Sequence, residues 1–502
     1  MARRALSKIF LLGLLALAAT NATAAHAVLC YDTAEIPLGS TTSYNAGSGV
    51  PSPFDLNLVL RVTAPSGRAY TVNGFFDGNG AGGAVGSVFK ARVFADEAGT
   101  WRWSVSSTNV PGLSGKSGSF SVSGKLTGVF GQGPVVENPA RPRTFMYRSG
   151  KPVFLAGKFL DVAASYPIQY SHTLLSEKLT DTNRQAMLSR HLGMKLNKMN
   201  VYYANRGDYG GLATTPWVGT ASSNNKTRFD LARWRMYDSW IVKLRNAGMV
   251  AQMWFFADDS GFGDLPDVDR QRLIKYAMAR HSAYVNTMYV LALEWQEGWS
   301  ITEVTNHANF LHQQNPWARM LTVHGIPGDF KFPAASWADY MDIQAGNTVG
   351  HGVVHSLGLA NRLLASKPLI QEEHAMGEES TANRQKAWAA FTGGAAAVGT
   401  GAFLGPLATF AAQVPFERME PADELVRSGS AYGLAEKGNA YVFYLYNGGA
   451  AGVDLAGVSG TLVAQWYDPR TGAWSSAPSA NGGGIRTYFS PASGDWVLYL
   501  HR

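Results

Sequence analysis

Two stretches decide how this chain folds: Leu291-Ala-Leu-Glu-Trp-Gln-Glu297-Gly-Trp299 and Pro368-Leu-Ile-Gln-Glu372-Glu373-His374. Each is a short apolar run that stops in carboxylates. In an eight-stranded parallel (β/α)₈ barrel, functional side chains stand where strands end, on the C-terminal face. The 76 residues between Glu297 and Glu373 hold three strand–helix units of roughly 25 residues each, the spacing of strands four and seven.

Working outward, residues 151–424 repeat that unit. Candidate strands are Val153-Phe-Leu-Ala, Leu196 to Tyr203, Met249 to Phe256, Tyr289 to Leu293, Met320 to His324, Tyr340 to Gln344, Pro368 to Gln371, and a Gly/Ala-rich run near Ala395 to Phe403. Helical spacing falls between them, at Thr182 to Leu192, Phe229 to Asn246, Asp267 to His281, Ile301 to Gln313 and Arg384 to Thr392. Alternation of this kind predicts an α/β fold with parallel strands, and eight units fit a closed (β/α)₈ barrel better than an open sheet. No Gly-rich phosphate or dinucleotide fingerprint follows a strand, so no nucleotide cofactor is expected. Asp258-Asp259 and Asp264-Leu-Pro-Asp267-Val-Asp269 do not have calcium-loop spacing. They read as a solvated loop and a helix cap, and neither a metal nor any other cofactor is expected.

The flanks read differently. Residues 28–124 contain short alternating runs, Leu56-Asn-Leu-Val-Leu-Arg-Val, Phe89-Lys-Ala-Arg-Val-Phe and Gly99-Thr-Trp-Arg-Trp-Ser-Val, separated by glycine turns such as Asp77-Gly-Asn-Gly. This spacing predicts a β-sandwich. Residues 125–150 are rich in proline and glycine and read as a linker. Residues 425–502 return to strands and predict a second β-sandwich, with Asp468-Pro-Arg-Thr-Gly as a turn.

Residues 1–27 read as a secretion signal. Arg3, Arg4 and Lys8 precede an apolar run from Ile9 to Ala18, and Ala25-His-Ala27 gives a small-x-small cleavage site, so the mature chain is expected to start near Val28. Cys30 is the only cysteine; Leu29 stands where a lipidated cysteine needs a small neighbour, so no lipid is expected. A disulfide-free secreted chain points to a bacterial source and a secreted or periplasmic location. The net charge of +7 falls to about +4 without the signal, which gives no reason to expect a nucleic-acid partner. No later run of 18 apolar residues predicts a membrane span. Oligomeric state is not legible.

Paired carboxylates about 5 Å apart across a scissile bond are what a retaining glycosidase requires. Glu297 and Glu373 are the candidates for that pair, with Glu294 and Glu372 as alternates, since a shift of register would exchange them.

At this point the residues reach a resemblance. Gly74-Phe-Phe-Asp-Gly with Phe89 to Trp101 looks like a β-sandwich of unknown function that precedes glycoside hydrolase barrels in bacterial polysaccharide-degrading proteins. The barrel resembles the large retaining clan that includes cellulases, β-galactosidases and apiosidase-like proteins. Trp466-Tyr-Asp-Pro-Arg-Thr-Gly resembles the small C-terminal β domain attached to apiosidase-like barrels. The resemblance implies that Glu297, preceded by Gln296 where the clan has Asn, is the general acid/base, and that Glu373 is the nucleophile. It further implies substrate contacts from His324, Lys198 (where the clan has Arg), Asn200, Tyr202 and Asp161, and sugar stacking by Trp254 or Trp299. The expectation is a secreted retaining glycoside hydrolase acting on a carbohydrate; a non-catalytic glycan-binding or matrix protein, or a polysaccharide lyase, are the alternatives.

Overall fold

The computed structural model describes residues 28–157, 173–206, 212–257, 262–374, 380–399 and 404–502. The expected signal segment and Asp161, Asp258 and Asp259 lie outside the described residues. In the middle of the chain, eight parallel strands follow one another: β1 (Leu155–Gly157), β2 (Lys198–Ala204), β3 (Val250–Phe256), β4 (Thr287–Ala292), β5 (Leu321–Thr322), β6 (Met341–Gln344), β7 (Leu369–Glu372) and β8 (Ala397–Gly399). They form two four-stranded parallel sheets, ordered β2-β3-β4-β5 and β1-β8-β7-β6. One seam between the sheets is bridged by His324 opposite Asp342. At the other, Asn197 N donates to Ala156 O at 3.0 Å and Ala156 N donates to Asn197 Oδ1 at 2.8 Å.

Among the described residues, seven α-helices accompany the strands: α1 (Asp181–Gly193), α2 (Leu231–Asn246), α3 (Asp267–His281), α4 (Ile301–Gln313), α5 (His351–Arg362), α6 (Thr381–Thr392) and α7 (Leu404–Ala411). Their starts follow local chemistry. Thr180 and Ser300 accept from the third helical N–H of α1 and α4, and Asn183 and Glu303 reach back to complete capping boxes. Such a cap stabilises a helix start by about 1 kcal/mol. The connection from β5 to β6 has no helix among the described residues, which the repeating unit did not anticipate. The strands are buried on both sides and therefore read as near-continuous apolar runs.

The N-terminal region forms a five-stranded and a three-stranded sheet, whose inward residues, such as Leu60, Phe89 and Trp101, share one core with the parallel sheets. It is bolted to α2 and α3 by buried charges: Arg92 pairs with Asp238 at 2.6 Å, and Arg280 with Asp238 and Asp77, each at 2.7 Å. The stretch read as a linker is structured. Val135–Glu137, Phe145–Tyr147 and Pro152–Val153 make a small antiparallel sheet, so its prolines and glycines form turns rather than a tether. The C-terminal region is β-rich, with a six-stranded and a three-stranded sheet around their own core. Buried Asp495 ties it to α6 through Arg384, at 2.6 and 2.9 Å.

Candidate active site

Polar residues on the parallel strands assemble first into an interior network. Lys198 Nζ donates to Glu372 Oε1 at 2.5 Å, to Gln252 Oε1 at 2.6 Å and to Asn200 Oδ1 at 2.7 Å. Asn200 Nδ2 donates to the second oxygen of Glu372 at 2.6 Å. Gln252 Nε2 then donates to Asp342 Oδ2 at 3.1 Å. Lys198, Asn200, Gln252 and Glu372 have no exposed surface. A buried charge is tolerated only when paired and hydrogen-bonded, and all three ammonium protons of Lys198 have an acceptor here. Burial, and then the charge of Glu372, push the Asp342 carboxyl well above the usual carboxylate range. Gly399 makes the space: a Cβ there would lie 2.5 Å from Glu372 Oε2.

Immediately beyond this layer the strands end, and two further carboxylates appear. Glu294 lies two residues past β4 and Glu373 one past β7. Both have left-handed backbones, with φ of 38° and 53°. Non-glycine residues seldom adopt this conformation, and it is retained where the surroundings enforce it, often at functional sites. The Glu294 carboxylate accepts from Gln344 Nε2 at the end of β6. Glu373 is buried, and its Oε2 lies 3.9 Å from His324 Nε2. His324 itself is fully buried; that burial, and then the charge of Lys198, push its pKa down to about 3, so the ring beside Glu373 is neutral. Trp295 N donates to His324 O at 3.2 Å, which holds the residue after Glu294 against the end of β5. Glu294, His324, Gln344 and Glu373 thus rim one end of the parallel strands.

The structure revises several expectations. Glu297 is exposed, on the short 3₁₀ turn Trp295–Glu297 that leads into α4; the left-handed turn at Glu294 ends the strand three residues before the assumed position. Gln296 accepts from Ile326 N at 3.0 Å and so fastens the loop after β5. Lys198 and Asn200 serve Glu372 inside the sheets, not the residue at the rim. Tyr202 and Trp254 are fully buried and pack with Val290 and Leu293. Trp299 is buried between Phe256 and His307, with the Arg270 guanidinium 4.5 Å from its ring centre. No open face remains on either tryptophan to stack on a sugar. Asp264 pairs with Arg206, and Asp267 is the first residue of α3 rather than its cap: Pro266 holds the cap position, and no side chain among the described residues caps this helix.

Gln344, Gln252 and Asp342 did not emerge from the sequence. Their signal was present, as polar residues at alternate positions of otherwise apolar strands such as Met341-Asp-Ile-Gln344. Among the described residues no group of three or more His, Cys, Asp and Glu side chains is placed to hold a metal ion. None of their helices is long and apolar enough to cross a membrane.

Two family models match the ends of the chain: a domain of unknown function over residues 27–108, and one described as a putative collagen-binding domain of a collagenase over residues 422–501. No curated protein matches the chain. Among solved structures, a putative glycoside hydrolase from Bacteroides vulgatus ATCC 8482 matches with a TM-score of 0.76 and 17% identity, over 94% of this chain and 99% of its own. A family 5 glycoside hydrolase from the same organism matches with a TM-score of 0.63 and 14% identity, over 75% and 95%. Another glycoside hydrolase gives 0.60 and 15%, over 75% and 98%. The chain therefore has a glycoside hydrolase fold.

Proposed function

We propose that the protein is a secreted glycoside hydrolase that cleaves a polysaccharide or oligosaccharide with retention of configuration. In this reading its eight parallel strands close into a (β/α)₈ barrel flanked by two β-sandwiches. Glu294 is the general acid/base and Glu373 the nucleophile. One observation carries the assignment: of the carboxylates at the ends of β4 and β7, these two are turned by left-handed backbones at the rim, while Glu372 is fixed inside and Glu297 lies out on a turn. Strands four and seven are also where the resemblance puts the pair.

Glu294 donates its proton to the glycosidic oxygen as that bond breaks. Glu373 forms an ester to the anomeric carbon. Glu294, now a carboxylate, removes a proton from water as the water displaces Glu373, and both groups return to their starting states. A neutral His324 neither competes for the negative charge of Glu373 nor adds a fixed cation to the site. Gln344 holds the Glu294 carboxylate in place.

A second reading is favoured by Leu293, an apolar residue directly before Glu294 where the clan has Asn: the chain binds glycans without cleaving them. Incubating the mature protein with a broad polysaccharide panel, with products read by mass, separates the readings. New reducing ends support hydrolysis, an unsaturated product absorbing in the ultraviolet means a lyase, and binding without products means the second reading.

A further inference from the structure

The N-terminal region and the chain entering β5 enclose a second cleft, of about 370 Å³. Trp317 in its wall lies four residues before β5 and Arg148 seven before β1, so the cleft opens at the strand end opposite Glu294 and Glu373. Its lining is aromatic and polar together. Tyr31 stacks on Phe94 with ring centres 6.0 Å apart, and Tyr70 lies 4.7 Å from Trp317. Both tyrosines are half-buried and keep part of their surface on the cleft side. Between them Asp96 Oδ2 accepts from Arg148 at 3.0 Å and from Arg68 at 3.1 Å, and Arg68 also pairs with Glu97 at 2.5 Å.

Two features exceed what packing requires. The Asp96 side chain is only 8% exposed, yet its Oδ1 has no hydrogen-bond partner among the described residues. Behind the Phe94 ring, the Arg319 guanidinium carbon lies 4.1 Å from the ring centre. Its Nε donates to Ser282 O at 3.0 Å, while both terminal nitrogens are buried without a partner among the described residues. Unmatched buried polar atoms are costly and call for an explanation. Half-buried rings beside a cluster of paired charges suit a ligand with an apolar face and several hydroxyls. Each arginine at the mouth is paired with a carboxylate, so neither offers an unopposed charge to a simple anion.

We infer that this cleft is a non-catalytic binding site for a neutral saccharide, which packs on Tyr31 and Tyr70 and hydrogen-bonds with the cluster of Arg68, Asp96 and Arg148. The inference rests on the reading of the chain as a protein that acts on glycans. Such a site would keep a polysaccharide on the protein while another part of it is cleaved at the far end of the strands.

The test uses the full chain carrying Glu373→Gln, with cellohexaose, mannohexaose, xylohexaose and polygalacturonate as probes. Binding is followed by calorimetry and located by hydrogen exchange. One neutral hexasaccharide is expected to slow exchange in residues 66–70, 94–97 and 316–319. Tyr70→Ala should weaken that binding about tenfold, the loss expected of an aromatic anchor, and remove the protection. In the otherwise native chain, cleavage of small aryl glycosides should be unchanged by Tyr70→Ala. If Tyr70→Ala does not fold, Tyr31→Ala on the facing wall takes its place. Protection by none of the neutral probes, protection by polygalacturonate alone, or protection that survives both tyrosine variants overturns the assignment. Protection at the cleft in a chain that cleaves no polysaccharide sinks the hydrolase reading and leaves the cleft standing; cleavage without protection does the reverse.

Discussion

Glu372 and Glu373 are neighbours in sequence and belong to different parts of the molecule. Glu372 is the last residue of β7 and has both oxygens occupied, by Lys198 and Asn200, in an interior with no exposed surface. Glu373 follows it in a left-handed turn, close to a neutral histidine, at the rim. The same functional group therefore does two jobs. Inside, a carboxylate pairs with a lysine; at the edge, a carboxylate lies beside a neutral histidine, and in the proposed reading it meets the substrate. The difference comes from one backbone angle, since in a regular strand the two side chains would face opposite ways.

The comparison predicts opposite phenotypes for adjacent substitutions. Glu373→Ala should lower turnover on a verified substrate on the order of 10⁴-fold or more, the scale of losing a nucleophile, with little change in the denaturation midpoint. Glu294→Ala should lose about 10²- to 10⁴-fold on unactivated substrates, and much less on dinitrophenyl glycosides, whose leaving group needs no proton. Azide should restore its second step and give a product of retained configuration, whereas any azide product of Glu373→Ala should be inverted.

Breaking the interior should instead break the fold. Lys198→Met leaves Glu372 buried and unpaired, and should cost about 3–5 kcal/mol in urea denaturation. Adding Glu372→Leu should recover much of that loss. If Lys198→Met is as stable as the native chain, the network is not the structural element argued for.

Buried histidines add a pH dependence. Burial lowers the pKa of His324 to about 3 and of His374 to about 4, from ordinary values of 6.5. Between those values the unfolded chain binds protons that the folded chain refuses. Stability is therefore complete above about pH 6.5 and declines as the pH falls toward 4. His374→Gln should make that decline shallower, by up to about 3 kcal/mol between pH 7 and 4. An unchanged slope would contradict it. The smallest effect is expected at Glu297. Glu297→Gln should change stability by no more than about 0.5 kcal/mol, as exposed substitutions do, and turnover by less than about twofold.

Much of the fold was legible because its signals are local. α3 and α4 run from Asp267 to His281 and from Ile301 to Gln313, as the helical spacing predicts. In the proposed reading the acid/base lies one turn from the position the sequence suggested. Glu294 and Glu297 are three residues apart, and nothing in Leu291-Ala-Leu-Glu-Trp-Gln-Glu says where the strand stops; that depends on a left-handed residue enforced by contacts with β5 and β6. The choice between Glu372 and Glu373 likewise turns on Lys198, 174 residues away. Tertiary partners of this kind leave no periodic trace. Trp254 and Trp299 looked like sugar platforms because one stands near the end of the third strand and the other follows the fourth, but an aromatic residue there serves the core equally well, and here both do.

The most direct test of the catalytic assignment is covalent capture. Once the panel has identified the sugar, a 2-deoxy-2-fluoro glycoside of it with a dinitrophenolate leaving group should acylate the native protein and hold it as the glycosyl-enzyme, because the fluorine slows the hydrolytic step. Peptide mapping by mass spectrometry is predicted to find one adduct, on Glu373. An adduct on Glu372, Glu294 or Glu297, or turnover of the natural substrate with no adduct on any carboxylate, would contradict the account.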